Sequence, residues 1–384
     1  PRRDADRYRD GRSAHAGKVK TPELLAPAGS LRMARTALDF GATAIYAGQP
    51  RYSLRVRNND FGTLENLAQG IALTHARGGK FYLVSNILPH NAKLKTYLDD
   101  MAPVIALKPD ALIMADPGLM LMIRERWPEM PIHLSVQANT VNHAAVRFWR
   151  GIGVSRVILS RELSLDEVAE IRQECPDTEL EVFVHGALCI AYSGRCLLSG
   201  YFNHRDPNQG SCTNSCRWDY KVLEGSEDGG GDVALASPRP PAVAPAPTLP
   251  GAARPSTLRR PGATWLLEEK ERPGEYMPIE EDEHGSYILN SKDLRAIEYV
   301  AKLTEIGVDS LKIEGRTKSP YYVARTCQSY RRAIDDAVAG RPFDAQLIGQ
   351  LDGLANRGYT AGFYDRHPDR DYQNYLSGSS ESSR

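Results

Sequence analysis

From Glu23 onward the chain alternates short β-favouring runs with amphipathic stretches of helical period. The runs are Glu23–Ala26, Ala44–Ala47, Lys80–Asn86, Ala111–Asp116, Ile132–Gln137, Arg156–Arg161, Glu179–His185 and Ser310–Glu314. Between them lie stretches such as Ser30–Phe40, Leu64–Arg77, Lys93–Leu107, Val141–Arg150 and Leu165–Glu174. Ser30 and Ser164 stand where N-caps belong, Ser164 with Glu167 in capping-box spacing. Gly41, Gly78 and Gly151 stand where helices should stop. Eight strand candidates alternating with helices predict parallel βα units that close into a TIM-like (β/α)8 barrel. An open doubly wound sheet is the other topology the pattern permits, because periodicity does not count closure.

The rhythm breaks after strand seven, and a cysteine-rich insertion fills the break. Residues 1–20 are polar and aperiodic and read as a disordered arm; residues 21–223 hold the first part of the barrel, with the cysteine cluster at 185–218. Residues 224–262, rich in Pro, Gly and Ala, read as a flexible insertion. Residues 263–289 read as a small β-hairpin with an acidic turn at Glu280–Gly285. A helix after Asn290–Asp293, the run at Ser310 and a last helix complete the barrel over 290–340, and 341–384 form a tail.

The composition is that of a globular protein, 41% hydrophobic and 25% charged. Lys+Arg and Asp+Glu are both 48, which argues against coating nucleic acid by bulk charge and leaves room only for a local basic patch. No apolar run is long enough to span a membrane, and the N-terminus lacks a secretory signal. These features predict a cytoplasmic protein whose thiols live in a reducing compartment, where clustered cysteines more often bind metal than form disulfides. The chain starts at Pro1 rather than Met, as a fragment or trimmed chain would.

Four of the six cysteines, Cys189, Cys196, Cys212 and Cys216, fall within 28 residues in a C-x6-C-x15-C-x3-C pattern. Four thiolates in one neighbourhood can hold a soft metal or an iron–sulfur cluster. Cys212 and Cys216 would also suit half of a zinc site, but Cys189 and Cys196 are too far apart for a standard knuckle. Iron–sulfur cluster, zinc site and unrelated buried cysteines all stay open on spacing alone. Cys175 and Cys327 fall in helical patterns as packing residues.

In a barrel the active site lies at the C-terminal ends of the strands. Gln49, Asn86, Asp116, Gln137, Arg161, Glu162, His185, Glu314 and Arg316 gather there, more polarity than turns require. His185, Glu314 and Arg316 are the catalytic candidates. Arg51, Arg55 and Arg57, three arginines within seven residues, make an anion site, since guanidinium groups grip carboxylate or phosphate through paired hydrogen bonds. Arg195 and Arg217, beside cysteines, could tune a cluster or bind an anionic substrate. Hydrolase, P-loop and dinucleotide signatures are missing. A Cys189–His185 nucleophile pair can be drawn, but it leaves three cysteines unexplained.

The segments Glu181-Val-Phe-Val-His-Gly-Ala-Leu-Cys189 and Ser193-Gly-Arg-Cys196-Leu-Leu-Ser199 resemble the signature of the collagenase-like peptidase family of unassigned catalytic class. The likeness extends to Glu23–Gly29, Ala47–Asn59, Pro89–Lys95, Leu134–Ala138, Arg156–Ser164, Asn290–Arg295 and Leu311–Ser319, and covers about residues 21–375 apart from the Pro-rich insertion. It is strongest toward members that modify tRNA. It implies prephenate-dependent hydroxylation of the wobble uridine of tRNA to 5-hydroxyuridine, and a 4Fe–4S cluster on Cys189, Cys196, Cys212 and Cys216. Other relatives hydroxylate a ribosomal RNA cytidine or ubiquinone precursors. Prephenate carries two carboxylates, for which the Arg51, Arg55 and Arg57 loop is a candidate seat, with Arg161 and Arg195 as further substrate-binding candidates. A flipped uridine could stack on aromatic side chains and be read by Asn86 or Gln137. Similar proteins continue into a small β domain where this chain ends soon after Asp371–Tyr375; if that domain grips tRNA, weak RNA binding is expected. Two alternatives accompany this reading: a collagenase-like peptidase, and a zinc-bearing RNA-binding module, against which the zero net charge counts.

Overall fold

A computed structural model describes residues 20–49, 51–54, 59–188, 220–227, 233–235, 264–269, 274, 276–279, 281–282, 285–286, 293–356 and 358–365. Seven strands follow one another with helices between them: β1 (Glu23–Pro27), β2 (Ala44–Gly48), β3 (Lys80–Ser85), β4 (Ala111–Met114), β5 (Ile132–Leu134), β6 (Arg156–Ile158) and β7 (Glu179–Ala187). The helices are α1 (Leu31–Asp39), α2 (Leu64–His75), α3 (Asn91–Ile105), α4 (Pro117–Arg126), α5 (His143–Gly151) and α6 (Leu165–Glu174). The expected N-caps hold: the Ser30 hydroxyl accepts from Met33 N, and Ser164 and Glu167 close a full capping box.

After β7 come β8 (Tyr220–Glu227), β9 (Val233–Leu235), β10 (Thr264–Glu269) and β11 (Tyr276–Ile279), an antiparallel sheet in the order β11-β10-β8-β9. β12 (Glu281–Asp282) and β13 (Gly285–Ser286) pair separately. β8 and β9 fall at the start of the Pro/Gly/Ala-rich segment, and 236–263 lie outside the described residues. The chain returns as β14 (Asp293–Arg295), α7 (Val300–Ile306), β15 (Ser310–Ile313), α8 (Pro320–Val338), α9 (Gln346–Asp352) and β16 (Tyr359–Thr360). The helix expected after Asn290–Asp293 is α7, and before it Asp293–Arg295 add a short strand against the end of β7.

β15 pairs in parallel with both β1 and β7, so eight parallel strands close into a (β/α)8 barrel. Closure needs every neighbour bonded, and the pairs β1–β2 through β6–β7 supply the rest. The outward strand residues, among them Leu24, Ile45, Leu83, Leu112 and Val157, are fully or almost fully buried under the helices. β7 is longer than its neighbours at nine residues, and its far end pairs antiparallel with β14, Gly186 opposite Leu294. Gly186 has φ +105°, and a Cβ there would lie 2.4 Å from the Glu314 carbonyl oxygen. Only glycine allows the two backbones to close at this point.

The inside of the barrel is charged where such barrels are usually filled by branched apolar side chains. Arg156 on β6 donates to Glu23 Oε1 at 2.6 Å, Glu179 Oε2 at 2.9 Å and Glu181 Oε2 at 3.2 Å. Lys312 Nζ on β15 donates to the other Glu181 oxygen at 2.8 Å. Tyr82 and Ser310 hydroxyls donate to Glu23 at 2.6 and 3.0 Å. Arg156, Glu181 and Lys312 are 2%, 0% and 4% exposed. Burial works against the charge on Arg156, but Glu181 and Glu23 outweigh it and hold the guanidinium above its ordinary range. Burial pulls the Lys312 ammonium down, with Glu181 limiting the shift. His133, edge-on to Tyr82 with centroids 4.6 Å apart, is held neutral by burial and by Arg156 and Lys312 nearby.

A buried carboxylate that loses its cation costs far more than a surface pair. Arg156→Met, of similar bulk, leaves Glu23 and Glu181 facing each other with one cation fewer. Denaturant unfolding should show it less stable by roughly 3–5 kcal/mol; a loss under about 1 kcal/mol, the range of a surface pair, would contradict a central role for the network.

Candidate active site at the barrel mouth

The residue pairing between β7 and β15 decides which side chains face the mouth. Lys312 pairs with Phe183, but the next residue, Ile313, pairs with His185, so the register slips by one at Val184. Lys312 and Phe183 point inward, where Lys312 Nζ stands 4.5 Å from the Tyr46 ring centroid and 5.3 Å from that of Phe183. Ile313 points outward, and paired residues share a face, so His185 turns outward with it. Such an irregularity re-aims side chains.

The imidazole therefore leaves the mouth. It sits 1% exposed among Tyr322 and Tyr330 of α8 and Tyr359 of β16, with ring centroids 5.7, 5.5 and 5.5 Å away. Tyr330 donates its proton to the Val184 carbonyl at 2.7 Å, so at 3.3 Å from His185 Nδ1 it accepts. That fixes the hydrogen on Nδ1 and leaves Nε2 unprotonated, without a partner among the described residues. Burial, helped by Lys318 and Arg295, pushes the His185 pKa down to about 3.

What does face the mouth is a cluster around Tyr46, Arg161, Phe183, Glu314 and Arg316. The Tyr46 hydroxyl donates to the Ile313 carbonyl at 2.9 Å and lies 3.3 Å from Glu314 Oε2. Burial first, then Glu314, raises the Tyr46 pKa well above the ordinary phenol value, against the pull of Arg316 and Arg161. The Arg161 guanidinium lies over the Phe183 ring, 3.8 Å from its centroid. Arg316 is buried, 5.9 Å from the Tyr46 ring centroid. A Cβ on Gly48 would come within 2.3 Å of Arg316 Nη1 and 2.4 Å of Ser53 Oγ, so the missing side chain at the end of β2 makes the seat for that guanidinium. Glu314 and Arg316 thus come together with Arg161, as their positions at strand ends predict.

Other candidates are drawn into supporting roles. Gln49 accepts from Arg51 N at 2.7 Å and Tyr52 N at 2.9 Å, capping the loop after β2. Asn86 ties that loop to β5, accepting from Leu54 N at 3.2 Å and donating to Ser135 Oγ at 3.1 Å. Asp116 caps α4 through Leu119 N. Arg51 pairs with Asp100 on α3 at 2.6 Å, and Tyr52 donates to the same carboxylate at 2.5 Å. Gln137 lies half-buried in the single turn after β5. Glu162 accepts from Ser160. Arg55, Arg57, Arg195 and Cys189, Cys196, Cys212 and Cys216 lie outside the described residues. Among the described residues, no group of three or more His, Cys, Asp or Glu could hold a metal. Tyr46, Phe183 and Lys312 are site residues that strand-end reasoning misses; the signal available was a lone lysine alternating with apolar residues in Ser310-Leu-Lys-Ile313.

A closed parallel barrel with carboxylate, phenol and guanidinium groups gathered at its C-terminal mouth has the architecture of a barrel enzyme. The model for peptidase family U32 matches residues 29–374, and the chain belongs to that family. It is 62% identical over 363 residues to "tRNA hydroxylation protein P" of Escherichia coli, covering 94% of this chain and 79% of the relative. It is 59% identical over 366 residues to the protein of the same description from Haemophilus influenzae, covering 94% and 78%. "Collagenase" of Porphyromonas gingivalis is 28% identical over 356 residues, covering 89% and 73%. No helix among the described residues is long and apolar enough to cross a membrane.

His185 provides a test of its own placement. Its folded pKa of about 3 lies below the ordinary 6.5. Between those values the unfolded chain binds a proton that the folded chain refuses, so this contribution is full above the upper value and is lost as pH falls. His185→Phe keeps a ring in the tyrosine box and removes the titration. Its acid-side slope of stability against pH should be shallower by up to about 1.4 kcal/mol per pH unit. Denaturant curves between neutral and mildly acidic pH check this, and equal slopes would mean that His185 takes up protons in the folded state.

Proposed function

We propose that the chain hydroxylates the wobble uridine of tRNA to 5-hydroxyuridine, with prephenate as the hydroxyl source and a 4Fe–4S cluster on Cys189, Cys196, Cys212 and Cys216. The observation that carries the reading is the 62% identity to a relative described as a tRNA hydroxylation protein, over 94% of the chain. The donor set suits the group: four thiols are the usual ligands of such a cluster. Cys189 also lies two residues beyond Ala187, where β7 ends at the barrel mouth. When bound, the cluster would supply a centre that takes up and passes electrons, which replacing C–H by C–OH requires.

The chain's own residues supply recognition. Arg161 and Arg316 place guanidinium groups around Phe183 and Tyr46, and such groups grip carboxylates through paired hydrogen bonds. Glu314, half-buried beside Tyr46, offers a carboxylate that can accept a hydrogen bond or a proton. Arg55, Arg57 and Arg195 are further candidates for binding an anionic substrate. A tRNA substrate places this activity in the cytoplasm. The relative described as a collagenase favours a second reading, a peptidase.

The test is anaerobic purification, metal analysis and incubation with unmodified tRNA and prephenate, followed by nucleoside mass spectrometry. The expected result is about four irons with matching sulfide and formation of 5-hydroxyuridine, both lost in Cys189→Ala. Arg161→Ala and Arg316→Ala should each raise the KM for prephenate roughly tenfold to hundredfold, the worth of one charge-assisted hydrogen bond. Intact cluster without tRNA hydroxylation overturns the reading; stoichiometric zinc moves the metal to a structural role, and gelatin cleavage moves the chain to the peptidase.

A further inference from the structure

We infer that Tyr46 is the positioning residue of the mouth: its phenol orients the Glu314 carboxylate and its ring seats Arg316, so that both face the substrate in fixed relation. The inference takes the substrate from the function proposed above, while its geometry stands apart from it. Tyr46 is 3% exposed, and its single proton is offered to the Ile313 carbonyl at 2.9 Å and Glu314 Oε2 at 3.3 Å. A carboxylate oxygen and the backbone of β15 are thereby referred to one oxygen atom.

The ring is fixed in turn. Lys312 stands 4.5 Å from its centroid and is itself held by Glu181 at 2.8 Å. The register β2–β3 sets Tyr46 beside Tyr82, whose hydroxyl is bound to Glu23. Arg316 lies 5.9 Å from the ring centroid, with Nη1 in the space over Gly48. Gly315, between the two site residues, has φ +153°, and a Cβ there would lie 2.7 Å from Tyr322 Cε1. The turn carrying Glu314 and Arg316 is therefore bounded by Tyr46 on one side and Tyr322 on the other, and Tyr322 donates to the Glu314 carbonyl at 3.0 Å. Burial keeps Tyr46 protonated, as a donor to a carboxylate must be.

Two variants of the full chain separate the two functions of Tyr46. Tyr46→Phe deletes the hydroxyl and keeps the ring; Gly48→Ala keeps Tyr46 whole and displaces the Arg316 head. The readouts are kcat and KM in the prephenate-dependent assay, thermal unfolding, and a crystal structure of Tyr46→Phe beside the parent. Tyr46→Phe should lower kcat roughly tenfold to hundredfold, the cost of misplacing a reacting group by about 1 Å. Its KM for tRNA should stay within about twofold, since binding groups are untouched. Glu314 should leave its parental position in the crystal. Gly48→Ala should instead raise the KM for prephenate about tenfold, as loss of one guanidinium contact does. An unchanged kcat in Tyr46→Phe, or Glu314 unmoved, overturns the inference for the phenol, and an unchanged KM in Gly48→Ala overturns it for the seat. If the parent does not hydroxylate tRNA, the proposed function falls and the crystal structure decides: displacement of Glu314 sustains the inference and a fixed Glu314 overturns it.

Discussion

Glu181 is the charge on which the interior depends. It is fully buried on β7, and its two oxygens are divided between Arg156 on β6 and Lys312 on β15. The three strands are neighbours, so the ion pairs bind the same wall that the backbone ladder binds. An apolar filling would separate charges from water more cheaply, because desolvation often exceeds the Coulombic gain. What the charged filling adds is direction. Each carboxylate has one arrangement that satisfies its cations, and Lys312 is left with one place to stand, under Tyr46 and Phe183. The floor of the mouth is thus set by the ion network beneath it.

The second constraint is the one-residue slip between β7 and β15. Below it, inward residues alternate regularly and build the network. Above it, Glu314 and Arg316 stay with the mouth, while His185 joins the tyrosines under α8. Gly186 permits the slip, since a Cβ there would strike the Glu314 carbonyl. The same segment frees the end of β7 from β15 and hands it to β14. A single local irregularity therefore separates a buried, neutral histidine from a charged site that begins one residue beyond its partner Ile313.

The eight strands were legible because βα units repeat two periodicities that hydrophobic pattern reports directly. Glu314, Arg316 and Arg161 were legible because strand ends in this architecture face one mouth. His185 followed the same rule in sequence and departs from it in space, because a register slip leaves no mark on the hydrophobic pattern. Asn86, Gln49 and Arg51 look like ligand-binding groups on composition, yet their hydrogen bonds and ion pairs close the loop after β2 on α3 and β5. Short polar side chains serve turns and substrates with the same atoms, and only the partner tells which. Tyr46 was hidden by the opposite effect: within an apolar strand a tyrosine reads as packing, and its hydroxyl is visible only once Glu314 is placed beside it.

Net charge illustrates the same limit from another side. The chain totals zero, with 48 cationic and 48 anionic side chains, and on that count a binding site for anions has no support. Yet Arg156 and Lys312 share Glu23 and Glu181 inside the barrel, while Arg316 and Arg161 stand with Glu314 around Tyr46 at its mouth. Charge can therefore be dense at one place in a chain whose total is zero. Low-dielectric walls focus such a field over a few ångströms rather than spreading it across the surface. That suits a small anion entering the mouth far better than a long phosphate backbone, whose charges are spaced along many ångströms and are met by surface cations. On the function proposed, the barrel interior would serve the small anionic partner, and recognition of the polynucleotide would fall to surfaces around it.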